Sequence, residues 1–326
     1  MKIAFFSTQP YDKQYFEKEA TEHTIKFLDV SLTEQSVDLA KDCDAVCVFV
    51  NDRLNADVIK ELASLGIKII ALRCAGFNNV DVAAAAAHNL KIVRVPAYSP
   101  HAVAEHALAL IMTLNRKTHK AYNRVREGNF SLDRLTGFDL FGKTVGVIGT
   151  GKIGACFAKI MLGMGCQVLA YDIFEDDSLK ALGVRYVHLS EVLAQSDVVS
   201  LHCPLTADTT HLINKASLQA MKTGAMLINT SRGALIDTKE VVQALKSGQL
   251  GYLGIDVYEQ EAKLFFHDLS ENIIDDDVIL RLLSFPNVLI TSHQGFLTDE
   301  ALIQIARVTL QNIGDFEHGR SLENEV

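Results

Sequence analysis

The sequence predicts an α/β protein made of two parallel-sheet units. Three observations carry that prediction. Short apolar runs alternate with amphipathic helical stretches along most of the chain, the pattern of parallel strands covered on both faces. Pro96 and Pro100 punctuate the alternation once. A second, longer alternating series then starts at Lys143. The length of 326 residues agrees with two units at about 150 residues per domain.

In the first unit, Ile3–Phe6, Ala45–Val50, Ile67–Leu72 and Ile92–Val95 read as strands. Helices are expected over Lys13–Thr21, Asp57–Leu65 and Val80–His88. Past Pro100, one long helix is predicted over Ala102–Arg126. Leu108, Ile111, Met112 and Leu114 form its buried stripe, late cations complement its dipole, and Gly128 stops it. In the second unit the expected strands are Val145–Ile148, Gln167–Tyr171, Val198–Leu201, Ala225–Asn229, Gly251–Asp256 and Val288–Ile290. An amphipathic helix over Asp299–Phe316 follows, with an acidic first turn.

Composition narrows the function. Asp plus Glu total 40 against 31 Lys plus Arg, a net charge of −9. Such a balance argues against a duplex nucleic-acid partner or an anionic membrane surface. No apolar run approaches the roughly 18–20 residues that span a bilayer, and the N-terminal apolar run is too short for a secretory signal. The six cysteines include no CxxC pair, and His101 and His106 lack the HExxH spacing, so no metal is expected. A cytoplasmic protein with reduced, buried cysteines is the resulting expectation.

Chemistry first surfaces at Gly149-Thr150-Gly151-Lys152-Ile153-Gly154. A lone GxGxxG is a weak signal. Here an apolar strand precedes it, a helical pattern follows, and Asp172 closes the next strand 18 residues beyond Gly154. Gly149 would permit the tight turn, Gly151 the approach of backbone to a pyrophosphate, and Gly154 close helix–strand packing. The helix N-terminus offers unpaired N–H groups to the phosphates. Asp172 would accept hydrogen bonds from the adenosine ribose and repel a 2′-phosphate, which favours NAD over NADP.

Three further polar features follow strands of the second unit: Asn229-Thr230-Ser231-Arg232-Gly233, Asp256-Val257-Tyr258-Glu259-Gln260-Glu261, and Thr291-Ser292-His293-Gln294-Gly295-Phe296. Strand C-termini are where open α/β sheets bind ligands. Arg232 there can hold a carboxylate with a bidentate fork. Taken singly, Arg232 also reads as a helix cap, Glu261 as part of a solvated face, and His293 as a core histidine. Periodicity does not show that the three converge.

These stretches carry a resemblance. Ala75-Gly76-Phe77-Asn78-Asn79-Val80-Asp81, the glycine loop, Ser200-Leu201-His202-Cys203-Pro204-Leu205-Thr206, Asn229–Gly233, Asp256–Glu261 and His293 occur in one order over nearly the whole chain. In this the chain resembles the D-isomer-specific 2-hydroxyacid dehydrogenases. Arg73-Cys74-Ala75-Gly76, Val95-Pro96-Ala97-Tyr98, Phe130-Ser131-Leu132, Leu264-Phe265-Phe266 and Ser292-His293-Gln294 look like the fermentative bacterial D-lactate subgroup. The family usually has Pro before and Ile after the histidine. Ser292 and Gln294 depart from that as the subgroup does.

The resemblance implies two Rossmann- or flavodoxin-like doubly wound parallel-sheet domains with the active-site cleft between them. Residues 1–100 and 295–326 would form the substrate domain and 101–294 the NAD-binding domain. Arg232, Glu261 and His293 map onto the family's active site. His293 would donate a proton to the keto oxygen of pyruvate as NADH gives its hydride to C2, yielding D-lactate. Glu261 would partner the other ring nitrogen, and Arg232 would bind and orient the substrate carboxylate. Ala75, Gly76, Tyr98 and Phe296 are implied substrate contacts, with Phe49 as an added wall. Lys152, Ile153, Cys203, Pro204, Thr230, Ser231 and Asp256 are implied to line the cofactor. The resemblance also implies a homodimer or homotetramer, with the 102–126 helix as a dimer element. The rival readings are a dehydrogenase of another 2-keto acid and a non-enzymatic NAD-sensing binding protein.

Overall fold

The structure, a computed structural model, describes every residue except Thr21, Ala262 and Lys263. The chain divides into two compact units, Met1–Ser99 with Phe296–Val326, and Pro100–Gly295.

The first unit contains β1 (Lys2–Phe5), α1 (Pro10–Glu19), β2 (Thr24–Phe27), β3 (Ala45–Val48), α2 (Ala56–Ser64), β4 (Ile69–Leu72), α3 (Val82–Ala87) and β5 (Lys91–Arg94). The strands form a parallel sheet in the order β2-β1-β3-β4-β5, so the order reverses between β1 and β3. β3 and β4 are buried along their whole length, which is why Ala45–Val48 and Ile69–Leu72 are uninterrupted apolar runs. The C-terminal helix Asp299–Glu317 lies on this sheet and buries Leu302, Ile305, Ala306, Leu310 and Ile313. Thr298 Oγ1 caps it by accepting from Ala301 N.

Two expectations change here. β2 was not foreseen: it is an edge strand, half-buried at best, and Thr24 and Lys26 break its apolar pattern. The helix expected from Lys13 starts at Pro10. Proline at the first helical position costs no hydrogen bond, and the Asp12 carboxylate accepts from Gln9 N at 2.9 Å. The expected end of that helix, Thr21, lies outside the described residues.

The second unit opens with α4 (Pro100–Arg116) and α5 (Thr118–Arg126). It continues through β6 (Thr144–Ile148), α6 (Lys152–Gly163), β7 (Gln167–Tyr171), α7 (Asp177–Ala181), β8 (Arg185–Tyr186), α8 (Leu189–Gln195) and β9 (Val198–Leu201). α9 (Lys215–Ala220), β10 (Ala225–Asn229), α10 (Thr238–Ser247), β11 (Leu250–Ile255), α11 (Asp277–Leu283) and β12 (Val288–Ile290) complete it, and the helix on the first sheet is then α12. All seven strands are parallel, in the order β12-β11-β10-β9-β6-β7-β8, with the reversal between β6 and β9. Successive residues of a strand point to opposite faces. Val145, Val147, Val198, Met226 and Ile228 therefore join one core with α4 and α6, while Ile148, Val199, Leu201 and Leu227 join another with α8 and α10.

The single helix expected over Ala102–Arg126 is two. Lys117 breaks it with φ +50°, a left-handed conformation. The stripe ends there for a physical reason. Buried Asn115 accepts from Phe138 N and donates to Phe138 O, which pins the returning chain at the end of α4. α5 buries no residue at all. β8, only two residues long, was also not foreseen. Among the described residues, no helix is long and apolar enough to cross a membrane, and no group of three or more His, Cys, Asp or Glu is placed to hold a metal ion.

Candidate active site

In the second unit the glycine turn sits where the strand order reverses. Gly149 follows β6 at φ +91°, and a Cβ there would lie 2.5 Å from Cys203 N. A Cβ on Gly154 would lie 1.9 Å from Gly149 O. The protein's own backbone thus demands the first and third glycines. Gly151 is different: nothing stands within 4 Å of where its Cβ would be, and it is the N-cap of α6. An open approach at a helix N-terminus suits a bound phosphate. Lys152 and Ile153 open the helix itself.

Asp172 stands beyond β7 as expected, and it also organises the turn. Its Oδ2 accepts from Thr150 N at 2.5 Å and Thr150 Oγ1 at 3.2 Å, and its Oδ1 accepts from Phe174 N at 3.1 Å. Ser231 Oγ donates to Cys203 O at 2.7 Å, tying the loops after β9 and β10 together beside Pro204. Burial pushes the Cys203 thiol up to about 11, so it is not a reactive thiolate. Thr230 Oγ1 is buried without a hydrogen-bond partner. An orphaned hydroxyl and a glycine that nothing in the protein requires both fit a ligand along this edge.

The loops after β10, β11 and β12 carry the three polar features. Asn229 is fully buried; it donates to Arg232 O at 2.8 Å and accepts from Ser231 N at 3.0 Å, which folds the turn that presents Arg232. Arg232 Nη1 rests on Ser231 O at 2.7 Å. A Cβ on Gly233 would lie 2.1 Å from the Tyr258 carbonyl carbon. Only glycine lets the arginine turn press against the Tyr258–Glu259 backbone.

Of the two nearby glutamates, one faces the histidine. Glu261 Oε1 lies 2.9 Å from His293 Nδ1, and its Oε2 accepts from Tyr258 N at 2.9 Å. Glu259 turns instead to His211 Nε2 at 2.7 Å and Thr238 Oγ1 at 2.8 Å. The His293 side chain is 15% exposed, so it is held yet reachable. The Phe266 ring lies 6.0 Å from its own. Asp256 is buried at the end of β11. Burial raises its carboxyl, but hydrogen bonds from His106, Thr291 and Gln294 outweigh that and hold it below the usual range.

In the first unit, Ala75 and Gly76 follow β4. Arg94 Nη1 donates to Ala75 O at 2.8 Å, and Cys74 Sγ donates to Gly76 O at 3.2 Å. Phe296 is ringed edge-on by Phe49, Tyr11 and Tyr98 at 5.9, 6.2 and 6.3 Å. Tyr11 was not anticipated. The signal that could have found it is its place just beyond β1, where the first sheet reverses its order. Behind Phe49, Arg73 is fully buried with its guanidinium 4.4 Å from the Phe5 ring and 4.7 Å from the Phe49 ring.

The NAD-binding domain model of the D-isomer-specific 2-hydroxyacid dehydrogenases matches residues 108–295. The chain belongs to that family. Among relatives in it, the D-lactate dehydrogenase of Escherichia coli is 52% identical, covering 100% of both chains. The pyruvate reductase of Chlamydomonas reinhardtii superposes with a TM-score of 0.94 at 48% identity, over 99% of this chain and 98% of its own. The D-lactate dehydrogenase of Aquifex aeolicus, solved complexed with NAD and lactic acid, gives a TM-score of 0.87 at 33% identity over 97% and 96%. As a member of the D-isomer-specific 2-hydroxyacid dehydrogenases the protein is an NAD-dependent oxidoreductase.

Proposed function

We propose that the protein reduces pyruvate to D-lactate. The observation that carries this reading is the 2.9 Å hydrogen bond between Glu261 Oε1 and His293 Nδ1. It fixes the imidazole by one nitrogen and leaves Nε2 for a substrate oxygen. The choice of pyruvate follows the names of the relatives, a D-lactate dehydrogenase and a pyruvate reductase.

NADH, when bound, supplies the hydride that reaches C2 of the keto acid. Gly149, Gly151, Lys152, Ile153 and Gly154 would hold its pyrophosphate, Asp172 its ribose, and Cys203, Pro204, Thr230, Ser231 and Asp256 the rest of its length. Arg232 binds the substrate carboxylate through its fork and polarises the adjacent carbonyl. Protonated His293 gives the Nε2 proton to the keto oxygen as negative charge grows there, and the product is a hydroxyl at C2. Glu261 stabilises the imidazolium before that transfer and holds the ring in place during it. In the first unit, Tyr98 and Phe49 pack edge-on against Phe296, an aromatic group that suits a small apolar substituent.

The same reading gives the protein a partner and a place. Tyr122, Val125, Phe130, Leu132 and Phe141 are exposed on the segment from α5 to β6, and a second copy of the chain would cover them. The six cysteines form no disulfide, which suits a cytoplasmic setting.

The test is NADH oxidation with pyruvate beside 2-ketobutyrate, phenylpyruvate and hydroxypyruvate, with product chirality assayed. Highest kcat/KM with pyruvate and a D product is expected. A preference for a bulkier acid overturns the substrate. Absence of turnover with all four, in protein that binds NADH, overturns the enzyme reading.

A further inference from the structure

His106 lies on α4, away from the three strand ends that carry Arg232, Glu261 and His293. Its imidazole is nonetheless wedged under the histidine loop. Nε2 stands 3.0 Å from Thr291 Oγ1 and 3.3 Å from Asp256 Oδ1, and the side chain is 15% exposed. Asp256, 2% exposed at its side chain, is where that loop is gathered. Asp256 Oδ1 accepts from Thr291 Oγ1 and from Gln294 N at 2.9 Å, Oδ2 accepts from Gly295 N at 2.8 Å, and its backbone oxygen accepts from His293 N at 2.8 Å. Four donors within five residues thus converge on one aspartate. A Cβ on Gly295 would lie 3.0 Å from Asp256 Oδ2 and 3.5 Å from His106 Cδ2, so the loop is seated on this pair.

What the pair holds is strained. His293 has φ +50°, a left-handed conformation that is costly for a side-chain-bearing residue and persists only where the surroundings impose it. The fixed aspartate imposes it here. Asp256 in turn is a buried carboxylate whose position needs a partner from outside the loop as well as the donors within it. His106 is that partner.

We infer that His106 is a positioning residue, which by bracing Asp256 keeps the 291–295 loop in the conformation that aims His293. The inference rests on the proposed role of His293 in proton donation. It assigns His106 no contact with substrate or cofactor. A 1 Å misplacement of a reacting group can cost about 10²-fold in rate. Loss of the brace is therefore read in turnover before it is read in binding.

The experiment compares His106→Ala and His106→Gln with the wild-type protein. Three readouts are taken: kcat and KM for pyruvate and NADH, NADH binding by fluorescence, and hydrogen exchange of the His293, Gln294 and Gly295 amides in the protein without cofactor. For His106→Ala, kcat falls about 10- to 100-fold, KM changes less than about threefold, and the three amides exchange faster. His106→Gln, whose amide can reach the same oxygens, recovers at least about half of the lost logarithm of kcat and the protection of the amides. Retention of kcat within about twofold in His106→Ala, or unchanged exchange at 293–295, overturns the inference. So does a His106→Gln protein that binds NADH yet is no better than His106→Ala. If the wild-type protein turns over no 2-keto acid, the proton-donor reading fails. Faster exchange in His106→Ala then still supports the brace, and unchanged exchange still overturns it.

Discussion

Glu259 and Glu261 stand in one turn, two residues apart, and the geometry gives them opposite fates. The Glu261 carboxylate meets His293 Nδ1 at 2.9 Å, while the Glu259 carboxylate bridges His211 and Thr238. On the proton-donor reading only the first touches the reaction. Glu261→Gln keeps a hydrogen-bonding oxygen but removes the charge that favours the imidazolium, so kcat for reduction should fall roughly 10²-fold, in the range of a general acid–base contribution. Glu259→Gln should leave kcat within about twofold and lower the melting temperature by a few degrees at most, since its bond to His211 is partly exposed. Steady-state kinetics of the two variants side by side decide it: equal losses would remove Glu261 from the mechanism. From sequence alone the pair was indistinguishable, because two acidic residues in a loop carry no record of where their side chains turn. The resemblance singled out Glu261, and the reason it can serve is Gly233, whose missing Cβ lets the turn at Arg232 lie against Tyr258. The role of His106 was invisible for the same cause. That role is made of contacts between a helix and strand ends distant in sequence, and no spacing encodes those.

The glycine turn, its helix and the neighbouring strand behave as one element. His202 closes it: its ring lies 4.8 Å from that of Phe157 on α6, its Nε2 is 2.9 Å from Ser200 Oγ, and its Cβ would be 3.2 Å from a Cβ on Gly154. Burial drives its pKa down from 6.5 to about 3, so the folded element keeps the imidazole neutral. The unfolded chain protonates it near pH 6.5. Below that pH the unfolded state binds a proton that the folded state refuses, so stability is full above pH 6.5 and declines as pH falls towards 3. The slope from one such group is at most about 1.4 kcal/mol per pH unit. Thermal melts of the wild-type protein and His202→Gln between pH 7.5 and about 4.5 should converge as pH falls, the variant starting lower and losing less. Parallel curves would mean that His202 charges in the folded state. Elements of this kind were legible because strands buried on both faces must be apolar throughout: β9 and β10 have the bounds that their sequences predict, and so do β7 and the edge strand β12, whose Val288-Leu289-Ile290 run is apolar though only half-buried. β2 and β8 were not, since Thr24 and Lys26 interrupt the apolar pattern of β2 and β8 is only two residues long. Nor was the break at Lys117, because the cations of α5 continue a helical pattern while Asn115 ends the buried stripe.

For the whole molecule, the question is which surface a second copy would cover. The sequence put the 102–126 helix forward, but its apolar stripe lies entirely on α4 and is used inside the second unit, where Ala104, Ala107, Leu110, Ile111 and Leu114 join the core with Phe157 and Met161. One stretch of the apolar surface left exposed is on α5 and the segment that follows. Tyr122 and Val125 are more than half exposed, Phe130 is 73% exposed, and Leu132 and Phe141 are 80% exposed. The segment is nevertheless anchored rather than loose: Arg124 Nη1 donates to Asp133 O at 2.7 Å, and Asn115 holds Phe138 by two hydrogen bonds. An ordered segment that presents large apolar side chains to water has the character of an interface. Burying Phe130 and Leu132 against a second chain is worth about 1.5–3 kcal/mol for each side chain, and symmetry doubles the gain because each copy supplies both. The wild-type protein should therefore sediment at a multiple of 35.8 kDa at micromolar concentration, and Phe130→Glu with Leu132→Glu should shift it to the monomer with its circular dichroism unchanged. A monomeric wild-type protein would refute the assignment. So would a double variant that keeps the wild-type mass, because two charges at the centre of an apolar interface cost more than the contacts around them return.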